Sequence, residues 1–483
     1  MNPSFTDTRL VFNWARPPVP SIININYFTI QAIGKSECGA AGVVFVENDE
    51  GSFCVKACTE SVAVEYFSHL LFQLNKIDVP NIFLIPCTSY HWNVIKNTIE
   101  LATFQDEVVR RSIKSKLQSP MLLLMEYVPN LSVTYMGPQK AEKIFSGIDE
   151  ISIDRLINLG RIFAMDTVIN NSDRYPVLWE NNGNPENLLL KVKTLEKTTT
   201  KELRNPLNFD LGFINFVAID NRVNLLDRNC KYSLPNLVKY EENLNLFVKE
   251  LVIYLDQIRE TSENCCDLMK ILEQNKFPQF SKFKNLRKFI KKYSYYEITP
   301  SSEFLIAMGL LICYENLTRN RISRIENLLE TLKKTSKKWT DVDFIWEESL
   351  NHINLDFISG IFSIIEENLK GFEKTITWIH ELTGRRFFID EKEAFDPQIL
   401  INKSLKVDES PEDIQKYKKI AGETGEEIEN IKKKRRMEEQ KEMNERKLKI
   451  KEIKIKRQKK AEELKELMER NFKEMKAANE KNK

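Results

Sequence analysis

This chain has no cysteine pair of the metal-binding type. Its eight cysteines, Cys38, Cys54, Cys58, Cys87, Cys230, Cys265, Cys266 and Cys313, contain no Cys-x-x-Cys, and Cys54 and Cys58 fall on what reads as a strand and its end. Buried free thiols in a reducing compartment are expected, rather than a disulfide framework or a zinc module. Long apolar runs are also lacking, since Phe304 to Tyr314 (FLIAMGLLICY) falls well short of the roughly 18 residues a membrane span requires. The N-terminal MNPSFTDTRLVFNW has no basic segment followed by an apolar run, so no signal peptide is expected. Charge of one sign is not in excess. The balance of 72 Lys and Arg against 70 Asp and Glu leaves +2, which argues against a nucleic-acid partner for the chain as a whole. No unit of 20 to 50 residues repeats, which excludes a solenoid or propeller. A soluble, cytoplasmic protein is the expectation.

What is present is enough apolar material, 42% of 483 residues, for a large core in one bilobal unit or two domains. Residues 1–20 are Pro-rich and aperiodic and read as an arm laid on the surface. Residues 21–134 are strand-like with one helical interruption. Gly42 to Glu47 and Ser52 to Ala57 flank an Asn/Asp/Gly cluster, which predicts a hairpin. Thr59 is placed to cap a helix beginning at Glu60, with Ala63, Phe67, Leu70, Leu71 and Leu74 on one stripe. Asn81 to Pro86 and Met121 to Val128 (MLLLMEYV) predict further strands, the second running into Pro129 as a connector. Residues 135–400 turn helical, with Ile153 to Val168, Asn243 to Ile258, Ser302 to Leu317, Arg321 to Leu332 and Gly360 to Leu382 as the clearest periods. After a linker at 401–420, residues 421–483 hold 21 Lys and Arg against 15 Glu with sparse apolar positions. That pattern predicts a charged helix or coiled coil held by Glu/Lys pairs, which is either a solvated tail with no specific partner or a coiled-coil or docking segment centred on Lys432 to Arg436. The fold class expected is α+β, a β-rich part followed by a helical part and then this charged helix.

Chemistry concentrates in Asp166 to Leu190, DTVINNSDRYPVLWENNGNPENLLL. It sets a carboxylate (Asp173), a neighbouring cation (Arg174) and an amide oxygen (Asn187) around a turn-rich loop ahead of an apolar strand. Phosphoryl transfer needs a base for the attacking hydroxyl, oxygen ligands for magnesium, a cation on the phosphates and a backbone cover over them. Gly34, Gly39 and Gly42 in IGKSECGAAG are candidates for that cover. Gly34-Lys35-Ser36 is not a Walker motif, because Thr29 stands where the first glycine belongs. Lys56 lies within the apolar strand text FCVKA, where a lysine must find a partner or reach solvent. Glu65 on the following helix is the favoured partner, with Glu60 one turn earlier as its rival. Asp220 ends the apolar strand FVAI and is preferred as a magnesium ligand to Asp210 in FDLG, since the former strand can pair with Leu188 to Val192. Glu126 and Val128, in the connector, are candidates for contact with the nucleotide.

These motifs support a family resemblance. The core Asn171-Ser172-Asp173-Arg174-Tyr175-Pro176, the late Gly183-Asn184-Pro185-Glu186-Asn187 and the strand end Ala218-Ile219-Asp220-Asn221 resemble the catalytic domain of the actin-fragmin kinases, atypical protein kinases distantly akin to phosphoinositide kinases. The resemblance covers about residues 20 to 380. It implies a bilobal protein-kinase-like fold, with residues 21–134 as N-lobe and 135–400 as C-lobe, that uses ATP and Mg2+. By the same resemblance Lys56 would touch the phosphates, Glu65 would pair with it, Asp173 would be the catalytic base and Asn187 and Asp220 would hold magnesium. Transfer of the γ-phosphoryl group to a Ser or Thr hydroxyl is then expected, with actin or an actin-binding complex as the type of substrate. Asp173 precedes Asn187 by 14 residues where ordinary protein kinases have about five, so Tyr175 to Gly183 forms an insertion. A lipid kinase of the phosphoinositide type shares the Asp-Arg and late Asn logic but would show His soon after the Asp-Arg pair, where Tyr175-Pro176 stands here. A catalytically inactive kinase fold used as a scaffold is the remaining alternative.

Overall fold

In the computed structural model the described residues lie between Phe12 and Ser404. Outside them fall residues 13–15, 23–24, 26–28, 36–42, 59–60, 88, 104–106, 115, 130–136, 148, 180, 193–213, 222–225, 227–229, 263–264, 274–276, 320–321, 337–342, 385 and 390–396, and both chain ends. The chain clusters into two units, 1–408 and 409–483. The charged segment 421–483 lies wholly outside the described residues, as do Thr59 and Glu60. What is described is a mixed α/β architecture with a small antiparallel sheet and mostly helical content.

Five strands, β1 (Ala32–Lys35), β2 (Val43–Glu47), β3 (Ser52–Cys58), β4 (Ile82–Pro86) and β5 (Met121–Glu126), pair antiparallel in the order β1-β2-β3-β5-β4. The hairpin between β2 and β3 forms where the sequence places it. Asn48 Oδ1 accepts from the amides of Glu50 (3.1 Å) and Gly51 (2.9 Å) and so stands in for backbone in a tight turn. A side chain at Gly51 would meet Pro17 O at 2.7 Å, because the N-terminal arm crosses there.

The central strands are buried on both faces, which is why they read as unbroken apolar text. On one face Val44, Val46, Phe53, Val55, Phe83, Ile85, Leu122 and Leu124 form a core with Val94, Ile95 and Ile99 of the helix Tyr90–Ala102. On the other, Ile82, Leu84, Met121 and Leu123 join the large core that includes the helix Val62–Leu74 and the helical remainder of the fold. Each fully buried Leu, Val or Phe contributes about 1.5–3 kcal/mol to holding these layers together. The helix Val62–Leu74 starts after Ser61, whose side chain makes no cap. Ser349 Oγ, from the helix Asp343–Asn351, instead accepts from Ala63 N at 2.9 Å.

The helical part is built on the helices Glu150–Val168 and Pro300–Thr318. The first opens with a capping box, in which Asp149 Oδ1 accepts from Ser152 N (2.8 Å) and Asp149 N donates to Ser152 Oγ (3.1 Å). A Cβ at Gly160 would overlap Ile306 O, and one at Gly309 would overlap Ile157 O, so the two backbones touch. We expect Gly309→Ala to force the helices apart and to cost about 1–3 kcal/mol or more, the range of overpacking in a closed core. A fall in the urea midpoint at constant m-value would show it; an unchanged midpoint would mean that the helices separate freely.

Two expectations differ. Residues 21–134 hold, besides Val62–Leu74, the helices Tyr90–Ala102 and Glu107–Lys114 where one helical interruption was expected, the buried Trp92, Ile95 and Ile99 recurring three and four apart on the first of these two. The period over Gly360 to Leu382 is broken into the helices Leu355–Leu369 and Glu373–Thr383, with Gly371 between them at φ +87°. That angle suits glycine and ends a helix without interrupting the apolar stripe, so periodicity alone runs through it. Among the described residues no helix is long and apolar enough to cross a membrane.

Candidate functional site

The helix Glu150–Val168 delivers the chain into the Asp173 loop through Asn170, whose φ of 53° turns the backbone. The loop is pinned from beneath. Tyr175 is sandwiched between Phe163 and Phe289 at centroid distances of 4.8 and 4.4 Å. Gly183, at φ +60°, lies where a side chain would meet Phe289 Cε2 at 2.8 Å. The loop then enters β6 (Leu188–Val192), which pairs antiparallel with β7 (Ile214–Ala218) in the register Leu188 to Ala218. That pairing, expected from the sequence, sets Asn187 beside the end of β7, and Ile219 N donates to Asn187 O at 3.1 Å.

Two clusters result. In the first, Lys56 is only 6% exposed, and its Nζ bonds to Glu65 Oε1 at 2.5 Å and Asp220 Oδ1 at 2.9 Å. An ammonium removed from water to this degree requires anionic partners, and the sheet and the helix each supply one side of that pairing. The Asp220 side chain remains 44% exposed, and its φ of 52° lies in the left-handed region, which Asp tolerates better than most residues. In the second cluster Asn187 Nδ2 donates to Asp173 Oδ2 at 2.9 Å while Asn187 Oδ1 accepts from Asn184 Nδ2 at 3.2 Å. Asp173 itself faces solvent.

Arg174 joins the two. It is fully buried, and its Nε donates to Asn187 O (3.0 Å), while one terminal nitrogen donates to Ile219 O (2.8 Å) and Asn221 Oδ1 (2.5 Å). The other terminal nitrogen pairs with Asp166 Oδ1. One planar guanidinium thus fixes the backbone at Asn187 and at the approach to Asp220 together. Asn171 adds a further tie, its Nδ2 lying 3.5 Å from Asp220 O and its Oδ1 accepting from Asp173 N at 3.3 Å. Burial pushes the Asp166 carboxyl up to about 6, against the opposing pull of Arg174 and Asn171. Close by, His69 lies one helical turn after Glu65, and burial lowers its pKa to about 3, so its imidazole is neutral.

The other expected residues are placed as follows. Gly34 lies on β1 paired with Phe45 of β2. The Glu126 carboxylate is engaged within the protein, by Asn81 N (3.0 Å), Asn81 Nδ2 (2.9 Å) and Lys191 Nζ (2.5 Å), and Val128 is buried. Gly39, Gly42 and Asp210 lie outside the described residues. Asn171 and Asn221 lie within the motifs that carry the resemblance and Asp166 opens the stretch that leads to them, but the sequence alone assigned none of the three a role.

A sequence model described as "Actin-fragmin kinase, catalytic" matches residues 6–313, well over half of the chain. The chain belongs to the actin-fragmin kinase catalytic family. A Dictyostelium discoideum protein provisionally named an actin-fragmin kinase is 23% identical over 164 residues, which is 32% of this chain and 38% of that protein. The match therefore spans less than half of that relative's length. In this family member, Asp173, Asn187 and Asp220 all fall within the matched residues, as do Lys56 and Glu65.

Proposed function

We propose that this chain is an ATP-dependent protein kinase that transfers the γ-phosphoryl group to a Ser or Thr hydroxyl, in the manner its family name implies. The observation that carries this is Lys56, nearly buried and pinned between Glu65 and Asp220. A strand lysine held by a helix carboxylate is the arrangement that presents a cation to nucleotide phosphates. The five-stranded sheet with its helix, 21–134, is then the upper lobe, and 135–400 the lower, joined near Glu126 to Val128. Residues 36–42 with Gly34 would cover the phosphates.

The donor set suits magnesium: a half-exposed Asp220 carboxylate and the Asn187 amide oxygen are the hard oxygens that ion takes. Magnesium on those two residues would neutralise charge on the phosphate oxygens. Asp173 accepts the proton of the attacking hydroxyl as that oxygen bonds to the γ-phosphorus and the bond to the β-γ bridging oxygen breaks, releasing ADP. Its bond from Asn187 Nδ2 orients the carboxylate without protonating it. Arg174, enclosed by protein, acts by position, holding Asn187 and Asp220 in register rather than touching substrate. Actin or an actin-binding complex is the proposed substrate, which places the enzyme in the cytoplasm.

Lys56→Ala tests this reading. We expect MgADP affinity measured by calorimetry to fall at least about tenfold and transfer from labelled ATP to actin or a generic protein acceptor to be lost, as removal of a charge-assisted phosphate contact requires. Transfer by the wild type only to inositol lipid would move the assignment to a lipid kinase, and absence of nucleotide binding would leave a scaffold.

A further inference from the structure

On the sheet face that carries Lys56, strand alternation sets Gly34, Phe45, Cys54 and Met125 in one row, since Gly34 pairs with Phe45, Phe45 with Cys54 and Cys54 with Met125. Cys54 is two residues from Lys56 on β3, about 7 Å along the same face. Tyr127 follows Met125 at the end of β5. A planar base whose phosphates reach Lys56 would lie against this row, where aromatic and soft apolar groups offer a stacking surface.

The row is covered by the chain itself. The Phe12 ring lies 5.7 Å from Phe45 and, edge-on, 5.7 Å from Tyr127. Its approach to β1 is so close that a Cβ on Gly34 would be 3.0 Å from both Cβ and Cγ of Phe12. Phe12 is 4% exposed, with Cys54 and Tyr127 buried in the same small apolar cluster. The arm carrying this ring is latched at the β2–β3 turn. Arg16 bonds to Glu47 Oε1 (2.6 Å), Asp49 O (3.0 Å) and Asn48 O, and Ser52 exchanges backbone bonds with Pro17 (2.9 Å) and Val19 (3.0 Å). The Arg16 bond to Asp49 O sits at the surface, where opening of the latch can begin without unfolding the sheet.

We propose that Phe12 is an intramolecular occupant of the nucleotide's base subsite, so that the N-terminal arm must release it before ATP binds. This rests on the kinase reading above. Nucleotide affinity is then reduced by the fraction of molecules in which the arm is seated.

The test is MgADP titration of the full chain by calorimetry, with wild type, Phe12→Ala, Arg16→Ala and Lys56→Ala side by side. Phe12→Ala and Arg16→Ala are expected to tighten MgADP binding about tenfold, while Lys56→Ala weakens it. In parallel, the rate at which a maleimide labels Cys54, followed by peptide mass spectrometry, should rise in both arm variants and fall again when MgADP is added. Weaker or unchanged affinity in Phe12→Ala, with Lys56 still required, would show that Phe12 is a wall of the site or a bystander and would overturn the proposal while leaving the kinase reading intact. Failure of every variant and of the wild type to bind MgADP would remove the kinase reading and the occupant's role together. Should Phe12→Ala fail to fold, Arg16→Ala decides the question alone, because Arg16 is a part-exposed side chain outside the apolar clusters.

Discussion

Asp173→Asn is expected to slow phosphoryl transfer about 10²- to 10⁴-fold, the usual contribution of a positioned general base, while MgADP binding changes by less than about twofold. The substitution keeps the shape of the side chain, and the amide oxygen can still accept from Asn187 Nδ2. What it removes is basicity. Asp173 is exposed, so the exchange opens no hole in the core, and its buried partner Asn187 keeps an acceptor. Single-turnover transfer from labelled ATP gives the chemical step directly. A variant as fast as the wild type would mean that the proton leaves by another route and that Asp173 only orients Asn187.

The second large effect falls on Arg174. We expect Arg174→Ala to lose about 3–5 kcal/mol of stability, the cost of removing one partner from a buried ion pair and leaving the Asp166 charge enclosed. Three further acceptors, Asn187 O, Ile219 O and Asn221 Oδ1, lose their donor at the same time. Arg174→Lys should rescue little, because one ammonium cannot reproduce a fork aimed at four oxygens in different directions. Denaturant unfolding of Arg174→Ala, Asp166→Asn and the double variant would separate the terms. A double variant no worse than Arg174→Ala alone is the expected coupling, and an Arg174→Ala protein as stable as wild type would show that the guanidinium is not what ties the loop to β7.

Local chemistry was legible in the sequence, and long-range closure was not. The β2–β3 hairpin could be read because Asn48 to Gly51 specify their own turn, and the pairing of Leu188 to Val192 with the strand before Asp220 followed from two short apolar runs. The contact of Lys56 with Glu65 was inferable because a lysine in a buried strand demands a carboxylate and the next helix offers one. The buried position of Arg174 was invisible, since an arginine beside a loop aspartate reads as a free cation until Asp166, Asn187 and Asn221 are folded around it. Phe12 was hidden for a similar reason: the arm is Pro-rich and aperiodic, and nothing local says that its aromatic ring crosses to Gly34. The break at Gly371 escaped because apolar spacing reports the face of a helix and carries no record of a change in axis.

Contact between two peptide backbones, as at Gly160 and Gly309, has an evolutionary corollary. Most packed positions can drift in pairs, one residue shrinking as its neighbour grows. Here each position already carries the smallest residue there is, and the atom it faces belongs to the main chain. Neither can be compensated by the other, so the two sites accept glycine or a wider helix spacing and nothing in between.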